Sequence, residues 1–282
     1  MTIKVTTLLE NSRIENKKLA VEHGLSLFIE IGQPIQRKIL FDTGQSGKFI
    51  ENARLLNIDL ALTDTVVLSH GHYDHSGGFK EFVKTYGSGF ELFVGDGFFT
   101  PKYARDNGQW RFLGSNFTAE SLKRKEIRTT VVTEHLLEMF PGVFLLRNFP
   151  RTNDFELPNP RFYLLKDGDY EPDLFCDEVV IVLQTVKGLL VLVGCSHPGV
   201  VNILTAVQTR LKQPVDAVLG GTHLVEANDE RLDKTFAHLA ALDLSLLGLS
   251  HCTGDYALNR LQRTKLPHTR NATGTSISFR RR

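Results

Sequence analysis

Cysteine, net charge and long apolar runs are all scarce in this sequence, and each scarcity excludes a class of protein. Three cysteines among 282 residues are too few for a disulfide framework, so we expect a reducing, cytoplasmic location. The net charge is +1 and no extended basic stripe stands out, so we expect no nucleic-acid partner. No run approaches the about 18 apolar residues of a membrane helix, and the first residues are typical of a strand rather than a signal peptide, so we expect no membrane partner.

What is present is the composition of an ordinary globular protein, with 41% hydrophobic and 23% charged residues. The length fits one large domain or two smaller ones, but we find no internal repeat, low-complexity segment or linker that would divide the chain. We therefore predict a single domain over residues 1–282. The pattern loosens between about residues 96 and 176, where aromatic residues follow no clear period. This insertion is expected to be a lid or binding segment, or its aromatic residues form a satellite core.

Apolar strand-like runs alternate with amphipathic helical segments in both halves of the chain. The first half begins with strand-rich residues from Ile3 to Phe41, and the second half begins with a hairpin through Lys187-Gly188. Helical spacing of apolar residues follows these strands in each half. Two packed sheets covered by helices bury such a pattern, so we predict an α/β fold, which some schemes class as α+β.

One stretch, Ser69 to Gly78, concentrates the residues that carry chemistry. It follows an apolar, β-branched run from Thr65 to Leu68, which predicts a buried strand. Within six residues it holds three histidines and one aspartate, namely His70, His72, Asp74 and His75. Flanking glycines let the backbone turn several side chains toward one point. Neutral imidazole and carboxylate are ligands for zinc, iron or manganese, so we predict a metal site rather than a polar surface loop.

Three more histidines follow predicted strands and stand close to glycine; they are His197, His223 and His251. Any one of them alone would be interpreted as a structural histidine. Because the ends of neighbouring strands meet at one edge of a sheet, the repeated pattern predicts that these side chains converge with the first stretch.

The segment His70-x-His72-x-Asp74-His75 resembles the signature of the metallo-β-lactamase superfamily. Three further segments, Gly194 to Gly199, Gly220 to Leu224 and Ser250 to Gly254, resemble its subgroup of 7,8-dihydropterin-6-ylmethyl-4-(β-D-ribofuranosyl)aminobenzene 5'-phosphate synthases. The resemblance covers nearly the whole chain. It implies a four-layer αββα sandwich that carries one or two divalent metal ions, with zinc favoured over iron and manganese.

The resemblance also implies roles for individual residues, by their position in the motifs. Two sets of ligands are implied, one for each metal: His70, His72 and His197, and Asp74, His75 and His251. Asp42 resembles the carboxylate that orients a ligand histidine. Such ions activate a water molecule for attack on a phosphorylated or ester-like small molecule, so the chain is expected to be a metal-dependent hydrolase.

The sequence departs from the superfamily at the residue that bridges the two metals, which is commonly an aspartate at the end of a strand. Here the comparable strand, Leu189 to Val193, is followed by Gly194-Cys195, and no aspartate stands there. Either Cys195 or His197 takes the ligand role, or His223 enters the ligand shell, or the second ion is weakly held. A cysteine thiolate at this position would favour zinc.

Residues that would contact the substrate give fewer signals. Short Gly/Thr loops could contact an anion such as phosphate through Thr253, Gly274 and Thr275. Arginines in the insertion are further candidates for anionic groups; they are Arg105, Arg111 and Arg151. We therefore expect a small, phosphorylated substrate, and the sequence leaves the formation of a homo-oligomer open.

Two other functions also stay open at this point. The activity named for the subgroup is a transferase reaction, which joins a pterin methyl diphosphate to a ribofuranosylaminobenzene 5'-phosphate and releases diphosphate. Metal ions assist the departure of diphosphate as readily as they activate water, so the ligands do not choose between transferase and hydrolase. The incomplete bridging position allows a third function, a non-catalytic metal-binding sensor.

Overall fold

The strands form two seven-stranded sheets and one four-stranded sheet in this computed structural model, which describes residues 2–15 and 17–282. In chain order the strands are β1 (Thr2–Leu9), β2 (Ser26–Ile31), β3 (Arg37–Phe41), β4 (Thr65–Leu68), β5 (Glu91–Gly95), β6 (Lys102–Asp106), β7 (Gln109–Phe112), β8 (Arg128–Val132), β9 (Leu136–Phe140), β10 (Val143–Arg147), β11 (Phe162–Lys166), β12 (Asp169–Pro172), β13 (Val179–Gln184), β14 (Leu189–Val193), β15 (Val215–Gly221), β16 (Leu246–Ser250), β17 (His268–Arg270) and β18 (Ser276–Arg280). The α-helices are α1 (Lys48–Leu55), α2 (Tyr73–Ser76), α3 (Phe79–Tyr86), α4 (Ala119–Arg124), α5 (Val200–Leu211), α6 (Asp229–Ala240) and α7 (Asp255–Leu261). Short 3-10 helices cover Leu60–Leu62 and His251–Thr253.

Parallel strands in each large sheet bring the ends of distant segments together. The first sheet has the order β18-β1-β2-β3-β4-β5-β8, and the second has the order β17-β16-β15-β14-β13-β10-β9. Strands β3, β4 and β5 run parallel in the first sheet, as do β14, β15 and β16 in the second. The register pairs Val193 with Gly220 and Gly220 with Leu249, so the loops that follow these three strands begin at the same level. This is the edge at which layered α/β folds bind their ligands.

Three hydrophobic cores separate four layers. Side chains from both large sheets pack between the sheets, whereas α1 and α3 cover the outer face of the first sheet and α5, α6 and α7 cover that of the second. In β4, Val67 faces the core between the sheets, and Val66 and Leu68 face the helices. Both faces of such a strand are covered, which explains why three consecutive residues of β4 are apolar. The predicted αββα sandwich is confirmed.

The segment predicted as one insertion, residues 96–176, is divided among all three sheets. Strand β8 extends the first large sheet, and β9 and β10 extend the second. The four-stranded sheet consists of β6, β7, β11 and β12, in the order β12-β11-β6-β7. The predicted boundaries are therefore too wide for a separate unit, because the strands in the middle of the segment pair with the main sheets.

The four-stranded sheet has a buried face and an exposed face. On the buried side, Ala104, Leu113, Phe162 and Phe175 form a small hydrophobic cluster, so part of this segment does form a satellite core. On the exposed side, Trp110 stacks on Tyr170, with the ring centroids 3.6 Å apart. Among the helices in the part of the chain described here, none is both long enough and apolar enough to cross a membrane.

Candidate metal centre

The histidine-rich loop leaves β4 and turns into the short helix α2. Gly71 makes the turn possible, because a Cβ atom at this position would lie 2.3 Å from the carbonyl oxygen of Phe98. Helix α2 begins directly after His72, so Asp74 and His75 project from its single turn. The loop therefore presents one pair of ligand candidates before the helix and a second pair on it.

Three imidazoles converge at the first of two clusters. One ring nitrogen from each of His70, His72 and His197 lies within 4.8 Å of the others. Their Nε2 atoms are buried and have no hydrogen-bond partner among the described residues. Burial lowers the pKa of all three rings well below 6.5, so the rings are neutral. A buried polar atom without a partner costs about 1–3 kcal/mol, and a divalent metal ion bound by the three lone pairs would remove that cost.

Asp42, directly after β3, orients His70 through Ser69 and orients His75 directly. Its fully buried carboxylate accepts hydrogen bonds from the backbone N and from Oγ of Ser69, both at 2.7 Å, and from Nδ1 of His75 at 2.6 Å. Because the Ser69 hydroxyl donates to Asp42, it accepts from Nδ1 of His70, 2.9 Å away. Both rings then carry a proton on Nδ1, so Nε2 is the atom that each ring turns toward the centre and offers to a metal ion. This is the contact that the resemblance implies for Asp42.

A second cluster lies beside the first and contains Asp74, His75 and His251. Nε2 of His251 lies 3.2 Å from Nε2 of His75 and 3.3 Å from Oδ2 of Asp74. His23, which no motif in the sequence marked, also lies here, with its Nε2 3.2 Å from Oδ2 of Asp74. Zinc ligands about 2.1 Å from the metal in a tetrahedron lie about 3.4 Å from one another. The observed separations fit such a set.

The electrostatic potential at the second cluster favours a cation. Burial opposes a charge on His75, but Asp42 and Asp74 outweigh it and raise the pKa of His75 to about 9. Burial would likewise raise the pKa of Asp74, yet the contacts with His75, His23 and His251 hold it well below 3.8. The carboxylates thus produce a negative potential in which a metal ion can replace the proton.

Cys195 lies between the two clusters. Its Sγ is 3.1 Å from Nε2 of His75, and it groups with His70 and His75 on one side and with His251 on the other. Burial raises the pKa of this thiol well above 9.0, so the thiol stays protonated unless a cation lies beside it. Of the alternatives for the bridging position, Cys195 is therefore the residue that the fold brings between the two sets of ligands.

His197 is part of the first cluster, whereas His223 lies next to that cluster. The centroids of the two rings are 4.3 Å apart. Neither ring nitrogen of His223 has a hydrogen-bond partner in the described part of the chain. His223 therefore offers a ring nitrogen to a metal ion or to a bound substrate.

Buried carboxylates hold the backbone of each ligand loop, as Asp42 holds Ser69. Four further hydrogen bonds are of this kind. The backbone N of Gly71 donates to Asp177 at 2.9 Å, and the backbone N of His251 donates to Glu10 at 3.1 Å. Glu178 accepts from the backbone N of Ser196 at 2.6 Å and from that of His197 at 2.8 Å. Lys102 pairs with Asp177 at 2.9 Å and with Asp173 at 2.8 Å, so one cation serves two buried carboxylates. Glu10, Asp177 and Glu178 were not predicted as part of the site, although charged residues directly at the ends of buried strands were a signal for them.

A cavity of about 470 Å³ opens beside both clusters. Its size is typical of a site for a small molecule. The lining combines candidate metal ligands with aromatic and basic side chains; among the latter are Tyr73, Phe162, Arg111, Arg161 and Arg270. Arg111 was predicted from the sequence, whereas Arg161 and Arg270 were missed. Each of the three arginines pairs with a carboxylate, so the basic groups are held in place at the cavity rim.

Several residues predicted to contact the substrate lie outside the lining of this cavity. Donor groups of these residues make other contacts. The backbone N of Gly274 donates to the Thr7 carbonyl oxygen, and that of Thr275 donates to the Ala272 carbonyl oxygen. Thr253 pairs with Thr222, and Arg151 donates to the carbonyls of Glu156 and Pro198. Arg105 lies over the ring of Trp110 instead. Thr253, Gly274, Thr275 and Arg151 therefore lie away from the cavity, and their anion contacts stay predictions.

Comparison with known proteins agrees with this architecture. The family model described as the metallo-beta-lactamase superfamily matches residues 21–146. A 7,8-dihydropterin-6-methyl-4-(beta-D-ribofuranosyl)-aminobenzene-5'-phosphate synthase of Methanocaldococcus jannaschii is 31% identical over 264 residues, which cover 91% of this chain and 90% of the relative. An uncharacterized protein of the same organism is 30% identical and covers 87% of this chain, with 89% of its own length matched.

A solved structure extends the likeness to three dimensions. The crystal structure of a metal-dependent hydrolase of the beta-lactamase superfamily is 30% identical to this chain, with a TM-score of 0.84 over 98% of both chains. The resemblance inferred from the four motifs is thereby confirmed. The chain belongs to the metallo-β-lactamase superfamily.

Proposed function

We propose that this chain is an enzyme that binds two divalent metal ions, preferably zinc, and acts on a phosphorylated small molecule. The observation that carries the proposal is the convergence of three buried, unpartnered imidazoles, from His70, His72 and His197. A purely structural role would leave these nitrogens unsatisfied at about 1–3 kcal/mol each. These three histidines would hold the first ion.

The second ion would be held by Asp74, His75 and His251. Cys195 would lie between the ions in place of the usual aspartate, and a soft thiolate ligand favours zinc. When bound, the two ions would supply stabilisation of negative charge on a departing phosphate or diphosphate. Cys195 and Cys252 are both buried as free thiols, which supports a reducing, cytoplasmic location for the protein.

The reaction we propose is transfer of a pterin methyl group from its diphosphate to the amine of a ribofuranosylaminobenzene 5'-phosphate. The bond between the methylene carbon and the diphosphate oxygen breaks, and a carbon–nitrogen bond forms. Diphosphate leaves and the amine loses one proton, so atoms and charge balance. The support for this choice is the synthase of M. jannaschii, which matches this chain over nearly its full length.

The cavity has the side chains that such substrates require. The ring of Phe162 lies 5.4 Å from that of His197 and 5.8 Å from that of His223, so a flat heterocycle stacked on it would lie next to the centre. Arg111 and Arg161 would meet the anionic groups of the substrates. His223 would donate a hydrogen bond to a substrate oxygen from a ring nitrogen that is otherwise unused.

A second candidate function is hydrolysis of a phosphorylated or ester-like small molecule. The observation that favours it is the solved relative described as a metal-dependent hydrolase, which is 30% identical and covers 98% of this chain. The same two sets of ligands would serve, with water in place of the aryl amine as the nucleophile.

The test is the release of diphosphate from a pterin methyl diphosphate by the zinc-loaded protein, with and without the aryl amine. We expect release that depends on the amine and yields the coupled product. Release without the amine would favour the hydrolase. Absence of release in both cases, with zinc still bound, would overturn the transferase and leave hydrolysis of another ester and the sensor as the functions to test.

A pair of histidine variants separates metal chemistry from general damage. His72→Ala should lose both zinc and product formation, because it removes a ligand of the first ion. His268→Ala changes an exposed histidine in β17 and should leave both unchanged. Product formation by His72→Ala at the wild-type rate would contradict the assignment of this ligand.

A further inference from the structure

A segment far from the histidine loop in sequence completes the second cluster. Glu10 and Asn11 follow β1, and His23 precedes β2. The ring of His23 lies 4.8 Å from that of His251, with the planes tilted by 45°. Asn11 lies beside both rings and has a polar atom within 3.5 Å of each.

The orientation of the Asn11 amide follows from two backbone groups. The backbone N–H of Gly24 donates to one amide atom at 3.3 Å, so that atom is the oxygen, Oδ1. The carbonyl oxygen of His251 lies 3.5 Å from the other amide atom, so that atom is the nitrogen, Nδ2. A backbone N–H only donates and a carbonyl only accepts, so both contacts indicate the same orientation.

This orientation assigns opposite tautomers to the two histidines. Oδ1 of Asn11 lies 3.1 Å from Nδ1 of His251, and since an amide oxygen only accepts, this ring nitrogen carries the proton. Nδ2 of Asn11 lies 3.5 Å from Nδ1 of His23, and since an amide nitrogen only donates, this ring nitrogen carries none. His251 therefore turns an unprotonated Nε2 toward the cluster. His23 instead turns an Nε2–H group toward Oδ2 of Asp74, 3.2 Å away.

We propose that Asn11 is a positioning residue for the second metal ion. It holds His251 in the tautomer that binds a metal, as Asp42 does for His75, and it holds His23 in the tautomer that donates to Asp74. His23 is then a hydrogen-bond donor that orients the Asp74 carboxylate, and it is not itself a metal ligand. The inference rests on the proposed binding of two ions.

Two substitutions at Asn11 separate its two contacts. Asn11→Leu has a similar size and removes both the acceptor and the donor. Asn11→Asp keeps the acceptor for His251 and removes the donor to His23. Zinc occupancy is measured by elemental analysis after equilibration with a chelator that buffers free zinc over a wide range. We expect Asn11→Leu to bind the first ion normally and the second about 10–100-fold more weakly, and Asn11→Asp to recover most of that loss.

A buried asparagine in the same region provides the control. Asn52 donates to the carbonyls of Leu8 at 2.7 Å and Ala20 at 2.9 Å, and it touches no candidate ligand. Asn52→Leu should lower the melting temperature without weakening the second ion. If both leucine variants lost the same affinity for the second ion, the effect at Asn11 would come from general destabilisation of the fold, and the inference would be overturned.

Nitrogen NMR of the imidazole rings gives a readout that is independent of activity. In the zinc-loaded wild type we expect the proton of His251 on Nδ1 and that of His23 on Nε2. A proton on Nδ1 of His23, or zinc-like shifts of its ring nitrogens, would overturn the inference while leaving the proposed function intact. A wild-type protein that binds one ion only would contradict the proposed function and the inference together.

Discussion

Asp42→Asn should weaken the binding of the second metal ion while the shape of the site is kept. The Asp42 carboxylate accepts from Ser69 N, Ser69 Oγ and His75 Nδ1 at 2.6–2.7 Å. Asparagine has the same size, but one of its two polar atoms is a donor and would face another donor. The His75 ring would lose its acceptor at Nδ1 and move its proton to Nε2, the atom that would bind the metal.

Two quantities set the size of this effect. The rise in the pKa of His75 from 6.5 to about 9 corresponds to about 3 kcal/mol of preference for positive charge. Asp42 and Asp74 together produce that net preference after offsetting the opposing effect of burial, so it gives the order of magnitude of their effect on His75. Partners of metal ligands commonly contribute about 10–100-fold in affinity, or about 1.4–2.7 kcal/mol. We therefore expect a 10–100-fold loss in affinity for the second ion.

Chelator competition with zinc measures the affinity of each ion in the variant. Asp64→Asn is the matched control, because Asp64 lies next to the opposite end of β4. It accepts from the backbone N of Lys38 at 2.8 Å and from Oγ1 of Thr65 at 2.7 Å, and it contacts no candidate ligand. Wild-type affinity for both ions in Asp42→Asn would refute the reasoning, as would an equal loss in Asp64→Asn.

Three further predictions concern stability. The metal-free protein should become less stable as the pH rises from about 6.5 to about 9, because folded His75 keeps a proton that the unfolded chain has released. A free energy of unfolding in urea that stays constant over this pH range would contradict this. Lys102→Met should lower the free energy of unfolding by about 3–5 kcal/mol, because Asp177 would stay buried without its cation. Unfolding in denaturant at the wild-type midpoint would be evidence against this prediction. Gly71→Ala should cost about 1–3 kcal/mol, because the new Cβ would lie 2.3 Å from the Phe98 carbonyl oxygen; an unchanged melting temperature would show that the loop can move away.

The parts of the site that the sequence could predict are those carried by local patterns. His70 and His75 stand five positions apart, directly after an apolar strand, so their grouping needs no knowledge of the fold. His197 and His251 follow other apolar strands, and the parallel pairing of β14, β15 and β16 places their loops at one level. For the same reason the layered architecture could be predicted, since continuous apolar strands and amphipathic helices determine it.

The rest depends on tertiary contacts that no local pattern reports. Asn11 and His23 stand in a polar connection between β1 and β2, where each would pass for a loop residue. Gly274 lies outside the cavity lining, and its backbone N–H donates to Thr7 of β1, a contact between distant parts of the sequence that no local pattern indicates. The strands of the small sheet were missed since exposed residues such as Trp110 and Phe112 break the alternation of a half-buried strand.

The small sheet separates reactivity from selectivity. The candidate ligands come from loops of the two large sheets, whereas Phe162 and Arg111 belong to strands of the four-stranded sheet. That sheet is joined to the histidine loop through the backbone bond from Tyr73 to Leu113 and through Lys102. Replacements on its inner face would change which molecule is admitted without altering how the ions are held. Relatives that share every ligand are therefore expected to differ in what they accept, and a new specificity can evolve here at little risk to the chemistry.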